Sequence, residues 1–153
     1  MSNQIKPVNL PNVRIGFKNF EGREGQFNRK GERSFAVFLD GQTAETLAAQ
    51  GWNVKFPKPN PDIAPEEDNR DPHIQVSVAF DNFPPDVYLI ANENPTKLDG
   101  ANVSMLDWAE LQKVDLVIRP YVWSVQGNTG VKAYLKKGYF TIVSDQFTDQ
   151  YGY

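Results

Sequence analysis

The sequence predicts a mainly β protein, folded as a small antiparallel β-barrel with one or two short helices. Several short segments alternate apolar and polar residues, only two segments carry helix signals, and strands do not alternate with helices. We count six to eight short strands, which favours a closed or nearly closed barrel. The chain has 153 residues and an apolar content of 40%, which is enough for one domain with a real core.

The first predicted strands form a long hairpin near the N-terminus. Val13, Ile15 and Phe17 alternate with polar or small residues, which is the period of a half-buried strand with these three side chains inside. The segment SFAVFLD, residues 34–40, repeats this alternation. Residues 21–33 between the two strands contain three glycines and four basic residues, which favours a long and mobile basic loop.

Two short helices are predicted from capping signals. Thr43 is a good N-cap for a helix over residues 44–49, and Gly51 fits its C′ position. Ser104, followed by Asp107 three residues later, has the spacing of a capping box that begins a second short helix.

The other segments complete the predicted domain. WNVKF, HIQVSVAF and DVYLIAN are expected to be strands, whereas the prolines and acidic residues of 57–72 favour an extended surface loop. Residues 1–11 have two prolines and no periodicity, so we expect a flexible arm there. The domain itself is predicted over residues 12–144, and residues 145–153 form a short acidic and aromatic tail.

The last hairpin carries the clearest pattern. In VDLVIRPYVWSV, residues 114–125, the even positions form an apolar inner face. The odd positions form an outer face that includes Arg119, Tyr121 and Trp123. One register therefore places the large aliphatic groups inside and an aromatic and basic ladder outside.

The return strand of this hairpin is placed by its turn. Gly127 and Asn128 are expected to form a tight primed turn, since both tolerate positive φ. Gly138 is expected to mark a bulge after which Phe140 and Ile142 turn inward. The turn predicts three cross-strand pairs on the outer face: Trp123 with Lys132, Tyr121 with Tyr134, and Arg119 with Lys136.

Charge is segregated along the chain, although the net charge is only −3. Residues 14–33 carry six basic and three acidic side chains, and residues 113–140 carry five basic and one acidic. Residues 60–110 between them carry eleven acidic and two basic side chains. This distribution allows a polyanion to bind one face of the folded protein.

The outer face of the last hairpin is predicted to bind a single-stranded nucleic acid. Aromatic rings stack on unpaired bases, which contributes about 1–3 kcal/mol per base, and neighbouring Arg and Lys side chains neutralise phosphates. The alternative is an ordinary sheet face in which aromatic pairs add stability and lysines keep the surface soluble. The candidate residues are Arg119, Tyr121, Trp123, Lys132, Tyr134 and Lys136.

The basic loop is the second candidate contact. It is expected to close over a bound strand as a flexible finger, with Phe27 available to stack. The alternative is a solvated hairpin tip whose charge is partly cancelled by Glu24 and Glu32. The candidates in the loop and in the strand before it are Arg14, Lys18, Arg23, Phe27, Arg29, Lys30 and Arg33.

No catalytic site, metal site or cofactor is predicted. The chain has no cysteines and its only histidine is His73, so thiolate sites and histidine clusters are excluded. Glu66, Glu67 and Asp68 lie in the proline-rich loop, where we expect a solvated charge run and no metal site of a nuclease. Sequence motifs of nucleotide hydrolases, serine esterases and zinc proteases are absent. The sequence also has no apolar run of about 18 residues and no signal-peptide layout, so we expect a cytoplasmic protein without a membrane contact.

Three segments together resemble a known family: NVRIGFKNFEGREGQFNRKGERSFAVFLD, AETLAAQGWNVKF and VDLVIRPYVWSVQGNTGVKAYLKKGYFTI. They resemble small phage single-stranded DNA-binding proteins with an OB fold. The resemblance implies an OB-type barrel, a groove lined by aromatic and basic residues, and a role in phage replication or recombination inside an infected bacterial host. The matching hairpin positions that it carries over are chiefly Arg119, Tyr121, Trp123 and Tyr134.

The predicted function is sequence-independent binding of single-stranded DNA, with the last hairpin as platform and the basic loop as clamp. RNA is left open as a ligand, because the same stacking faces serve either nucleic acid. The tail SDQFTDQYGY is expected, by analogy, to compete for the basic face or to recruit replication or recombination proteins; a frayed terminus is the alternative. Two other functions are weighed: a non-enzymatic protein-interaction or structural phage module on the same barrel, and a metal-dependent nuclease.

Overall fold

The computed structural model describes residues 5–26, 29–64, 70–81 and 83–143. This part of the chain is mainly β, as predicted, with one α-helix and one short 3₁₀ helix. The 3₁₀ helix spans Val103–Asp107. The other elements are β1 (Val8–Leu10), β2 (Arg14–Asn19), β3 (Arg33–Phe38), α1 (Gly41–Ala49), β4 (Val54–Lys55), β5 (His73–Val78), β6 (Asp86–Ala91), β7 (Asn94–Leu98), β8 (Leu111–Val125) and β9 (Asn128–Ile142).

One sheet organises the described residues, with its strands in the order β1-β8-β9-β5-β3-β2. β9 is the central strand, because it pairs with β8 along one edge and with β5 and then β6 along the other. Most strand pairs are antiparallel, as predicted, but β5 and β6 both run parallel to β9. The chain therefore crosses over between these strands and does not only fold back in hairpins.

The sheet is not closed, although the fold is consistent with the OB type. β2 approaches β8 at its first residues, where the Val13 N–H donates to the carbonyl of Val114 at 2.9 Å. The Asn12 N–H nearby donates to Oδ1 of Asp115 at 2.8 Å. β2 thus meets the part of β8 that β1 does not cover at one point, and the described residues form no ladder between these two strands.

Three phenylalanines form the centre of the core. Phe20, Phe35 and Phe140 are fully buried, with ring centroids 5.1 to 6.2 Å apart in stacked and edge-on geometries. Phe20 directly follows β2, whereas Phe35 belongs to β3 and Phe140 to β9, so one aromatic cluster holds together segments that are distant in sequence.

α1 begins earlier than the capping signal predicted. Asp40 is the N-cap, and its Oδ1 accepts a hydrogen bond from the Thr43 N–H at 2.7 Å. This bond favours the ionised carboxylate and lowers the pKa of Asp40. Thr43 therefore lies in the first turn of α1 and is not the N-cap. The carboxylate of Asp40, three residues before Thr43, caps the helix instead. Gly51 lies one residue after the C-cap Gln50 with φ +98°, so its predicted C′ role is confirmed.

The second short helix forms without the predicted cap at Ser104. Its N-cap is Asn102, which makes no side-chain cap hydrogen bond. The Asp107 carboxylate instead accepts from the N–H groups of Phe20 and Glu21, at 2.8 and 3.0 Å. Asp107 thus connects this helix to the end of β2. Among the described residues, no helix has both the length and the hydropathy to cross a membrane.

Part of the segment assigned to the N-terminal arm belongs to the sheet. Residues 8–10 form β1 and pair with residues 116–118 of β8, and Leu10 is buried. The sequence pattern does not reveal this strand, because three residues are too few to show a period and a proline stands on either side of them.

β2 contains a bulge that reverses the predicted side of one aromatic residue. Gly16 pairs with Ala36, but the next pair joins Asn19 to Ser34, so β2 has one extra residue. Phe17 lies in this bulge with φ +48° and is 77% exposed, so its predicted inward position was wrong. Phe20 fills the core in its place.

The last hairpin is shifted by two residues from the predicted register. Gln126 and Gly127 form the turn, with φ of +51° and +82°, so Val125 pairs with Asn128. The predicted turn at Gly127 and Asn128 was therefore wrong. Since side chains alternate with a period of two, the same residues still face outward. The observed pairs are Trp123 with Gly130, Tyr121 with Lys132, and Arg119 with Tyr134.

A bulge interrupts β9, but before the glycine that was predicted to mark it. Val117 pairs with Lys137 and Ile118 with Leu135, so Lys136 is the extra residue. The inward positions switch there from odd to even numbers, and Phe140 and Ile142 are buried as predicted. Gly138 has a different constraint, because a Cβ on it would lie 2.6 Å from Cε2 of Phe140.

Candidate nucleic-acid interface

The outer face of the sheet brings residues of four strands into one row. Ser34 of β3 pairs with Ser77 of β5, Ser77 with Tyr134 of β9, and Tyr134 with Arg119 of β8. Neighbouring strands lie about 4.8 Å apart, so this row is about 15 Å wide. Small hydroxyl side chains occupy one half of it, and an aromatic ring with a cation occupies the other.

The half that comes from the last hairpin is a compact group of rings and cations. We call Phe83, Arg119, Tyr121, Lys132 and Tyr134 the hairpin patch. Tyr121 and Tyr134 are in edge-on contact at 6.0 Å, and Nζ of Lys132 lies 5.0 Å from the Tyr134 ring centroid. The structure therefore brings together four of the six residues predicted on this hairpin and adds Phe83 from the loop after β5.

Arg119 occupies the centre of the hairpin patch. Its Cζ lies 4.8 Å from the ring centroid of Tyr134 and 5.8 Å from that of Phe83. Its Nε is buried, and no described residue accepts a hydrogen bond from it. None of the described carboxylates forms an ion pair with Arg119 either. Aromatic rings thus position the guanidinium, and no described carboxylate neutralises its charge. The guanidinium is therefore able to bind an anion.

A second group of rings lies at the far end of β5. We call Phe17, Phe38 and His73 the three-ring patch, since their ring centroids lie 6.1 to 6.2 Å from one another. Cζ of Arg14 lies 4.7 Å from the Phe38 ring, and its guanidinium also forms an ion pair with Asp71 at 2.8 Å. Of these residues, only Arg14 was a sequence-based site candidate.

A groove of about 280 Å³ begins at the three-ring patch and follows the sheet. Its floor is open because Ala36 and Ser34 have small side chains. Ser77 lies four positions after His73 on β5, which is about 13 Å along the strand. The two patches therefore lie at the ends of an open floor that is long enough for more than one nucleotide. The residues lining the groove are Phe17, Asn19, Ser34, Phe35, Ala36, His73 and Gln75.

Two of the predicted basic residues are engaged by main-chain carbonyls. Nζ of Lys18 donates to the carbonyls of Leu106 and Ala109 at 2.8 and 3.1 Å. Burial lowers the pKa of Lys18, and the nearby Asp107 carboxylate partly opposes this effect. Arg33 likewise donates to the carbonyls of Phe20 and Gly100, at 2.8 and 3.0 Å. Each of these two cations therefore joins separate parts of the fold.

The basic loop presents its other cations at the surface. Arg23 forms an ion pair with Glu21 at 3.6 Å, and its Cζ lies 5.8 Å from the Trp108 ring. Lys30 is exposed, and so is Arg29, whose N–H donates to Oε2 of Glu32 at 3.4 Å. Phe27, predicted to stack, lies outside the described residues.

Trp123 and Lys136 complete the predicted set. The indole of Trp123 lies across Gly130, because a Cβ on that glycine would be only 2.5 Å from Cζ2 of the ring. Trp123 is therefore half-buried against the hairpin itself. Lys136 is exposed at the β9 bulge, beyond the Arg119 and Tyr134 pair.

Sequence reasoning missed Phe17, Phe38, His73 and Phe83. Phe38 could have been found, because alternation with the inward Phe35 and Val37 places it outside. Phe17 and Phe83 could not, since both have positive φ, +48° and +51°, and follow no strand period. Exposed aromatic residues in this backbone region are uncommon, and strained residues of this kind concentrate at functional sites.

A tyrosine stack continues the outer face along β9. Tyr88 and Tyr139 lie 5.3 Å apart with nearly parallel rings, and Nζ of Lys137 is 5.3 Å from Tyr139. A hydrogen bond to Tyr139 raises the pKa of Lys137. Charge is mixed here, because Lys97 pairs with Asp86 at 3.2 Å.

The described residues contain no cluster of three or more His, Asp or Glu side chains able to hold a metal ion. Glu66, Glu67 and Asp68, considered for a nuclease site, lie outside the described residues.

An OB-type sheet with aromatic rings and cations on an open face defines a class of proteins that bind single-stranded nucleic acids. The family model of a phage ssDNA-binding domain matches residues 1–153, and the chain therefore belongs to this family. No curated protein matches the chain in sequence.

Solved structures of one phage protein share the fold. The single-stranded DNA-binding protein of bacteriophage Enc34 in complex with ssDNA matches with a TM-score of 0.57 and 12% identity, over 93% of this chain and 94% of that chain. A C-terminal truncation of the same protein matches with a TM-score of 0.55 and 12% identity, over 93% of both chains. At this identity the likeness concerns the fold.

Proposed function

We propose that the protein binds single-stranded DNA without sequence preference, along the outer face between the hairpin patch and the three-ring patch. The hairpin patch is the observation that carries this proposal. It places an uncompensated guanidinium and a lysine directly against the half-buried ring of Tyr134, beside the exposed rings of Tyr121 and Phe83. Such a surface offers every base a π-face and every phosphate a cation, so it needs no particular sequence.

Exposure supports stacking at both ends of the groove. Tyr121 is 54% exposed, and Phe17 and Phe83 are 77% and 79% exposed. Large rings are usually covered in a folded protein, since burial of their surface is favourable. Unpaired bases would cover these rings, whereas a duplex keeps its bases stacked inside.

The biological role follows from the family. We propose that the protein covers exposed single strands during phage DNA replication or recombination, in the cytoplasm of the infected host and without catalysis of its own. The Enc34 protein with the same fold is described in complex with ssDNA, which supports the choice of ligand. Recruitment of replication or recombination proteins through residues 145–153 stays a prediction, because these residues lie outside the described part.

The test is a titration of labelled oligo(dT), of about 30 nucleotides, followed by fluorescence anisotropy. We expect salt-sensitive binding of the single strand, much weaker binding of a duplex of the same length, and similar affinities for mixed sequences. Tyr134→Ala should weaken binding of all single strands by about 1–3 kcal/mol, whereas Tyr134→Phe, which keeps the ring, should bind like the parent. Indifference to nucleic acid at low salt would contradict the proposal and favour a protein-interaction module.

A further inference from the structure

We infer that the single-strand path does not end at the groove but continues across the start of the basic loop to Trp108, which acts as an additional stacking platform. This inference rests on the proposed function. Trp108 is 74% exposed, although it lies on a corner that the fold holds in place. The sequence did not indicate Trp108 as a candidate, because it lies in a segment predicted to be helical and not on a predicted strand.

The backbone around Trp108 is fixed from both sides. Nζ of Lys18 donates to the carbonyls of Leu106 and Ala109, which bracket the tryptophan. Asp107, immediately before it, accepts from two N–H groups at the end of β2. Four hydrogen bonds therefore fix the segment that carries this exposed ring, so little conformational entropy of the main chain is lost when a base stacks on it.

Asn19 connects this corner to the groove. Its side chain lines the groove, and its amide holds the loop by accepting from the N–H groups of Gly22 and Arg23 and donating to the Arg23 carbonyl. The Arg23 guanidinium in turn lies 5.8 Å from the Trp108 ring. A strand that leaves the three-ring patch past Asn19 thus reaches a cation and a ring in succession.

Local charge allows a polyanion to reach this corner. The Asp107 carboxylate is engaged by main-chain N–H groups and faces the Lys18 ammonium. Glu21 is paired with Arg23 in an exposed contact of 3.6 Å, a kind of ion pair that contributes little to stability. A phosphate can therefore take the place of Glu21 on Arg23 while a base covers the indole.

Two strand lengths test this extension. We compare labelled oligo(dT) of about 4 nucleotides with one of about 16, the ends of the range for a single OB fold. Trp108→Leu, which keeps an apolar side chain but removes the ring, should weaken binding of the long strand by about tenfold and leave the short strand within about twofold. Trp108→Phe should restore the long-strand affinity. Ile63→Ala, which trims an exposed apolar side chain in the loop between β4 and β5, should change neither.

Fluorescence supplies a direct readout. The long strand should quench more tryptophan emission in the parent than in Trp108→Phe, although both bind it with similar affinity. Equal binding of both lengths by the parent and Trp108→Leu would overturn the extension and leave the groove proposal standing. An equal loss at both lengths would also overturn it, since the effect would then be general. Failure of the parent to bind either strand would instead remove the proposed function.

Discussion

The hairpin patch and the three-ring patch contain the same kinds of side chains but are built in different ways. Tyr121 and Tyr134 belong to long, regular strands, so they face outward by simple alternation. Phe17 faces outward only because β2 bulges and its backbone adopts φ +48°. The regular ladder thus holds the two tyrosines outward without strain, whereas Phe17, like Phe83 of the hairpin patch with φ +51°, depends on a strained backbone.

The largest expected effect comes from removing one ring at each end of the groove. If one strand contacts both patches, the Tyr134→Ala and Phe38→Ala substitutions should weaken binding additively, by about 3 kcal/mol together. Additivity is expected because the patches lie about 13 Å apart along β5. Affinities of the parent, the two single variants and the double variant measure it. If the double variant has the same affinity as the single variant that binds DNA more weakly, the two patches do not contact the same strand.

A second prediction concerns the strain itself. At Phe17, glycine should give a more stable protein than alanine, by about 1 kcal/mol, because alanine keeps a side chain in the left-handed region. At Tyr121 the order should reverse, since glycine in a regular strand is less stable than alanine by about 0.5–1 kcal/mol. Denaturant unfolding of the four variants decides this. If alanine gives the more stable variant at both sites, the bulge is not strained.

Both Phe17 variants should lose DNA affinity to a similar extent, about 1–3 kcal/mol, since both remove the ring. Glycine at this position would then stabilise the fold relative to alanine while giving no advantage in binding. Recovery of parental affinity in either variant would exclude Phe17 from the interface.

The difference between the patches also explains what could be predicted from the sequence. Arg119, Tyr121, Lys132 and Tyr134 were found because alternation needs only the strand period, and a register error of two residues leaves that period intact. The true register depends on contacts distant in sequence. Val131 pairs with Trp52 of another segment, and the Trp123 indole covers Gly130.

The three-ring patch was missed because its geometry is decided by competition for the core. Phe17 and Phe20 are both suited to burial, and the pattern favoured Phe17. The structure buries Phe20 against Phe35 and Phe140, which forces an extra residue into β2. His73 follows the acidic loop, so its place beside Phe38 appears only when β3 and β5 pair.

The basic residues at the two patches should also differ in how strongly they contact phosphate. Lys132, on the outer face, should contact phosphate directly, so Lys132→Gln should lower the slope of log affinity against log salt by about 1, equally for all sequences. Arg14, beside the three-ring patch, is already paired with Asp71, so Arg14→Gln should lower the slope by less. Salt titrations of the two variants measure this difference. If Arg14→Gln lowers the slope as much as Lys132→Gln does, Asp71 releases Arg14 when DNA binds.

The smallest effect is expected for Lys18, whose charge faces the fold. Burial holds the pKa of Lys18 below its unfolded value of 10.5, so the unfolded chain binds more protons between these two values. The free energy of unfolding contributed by Lys18 should therefore rise as the pH increases through this window, and it should be lowest below it. Denaturant unfolding at several pH values, with Lys18→Met as the reference that cannot titrate, isolates this contribution. A stability difference between the two proteins that falls towards pH 10.5 would contradict the buried position of the ammonium.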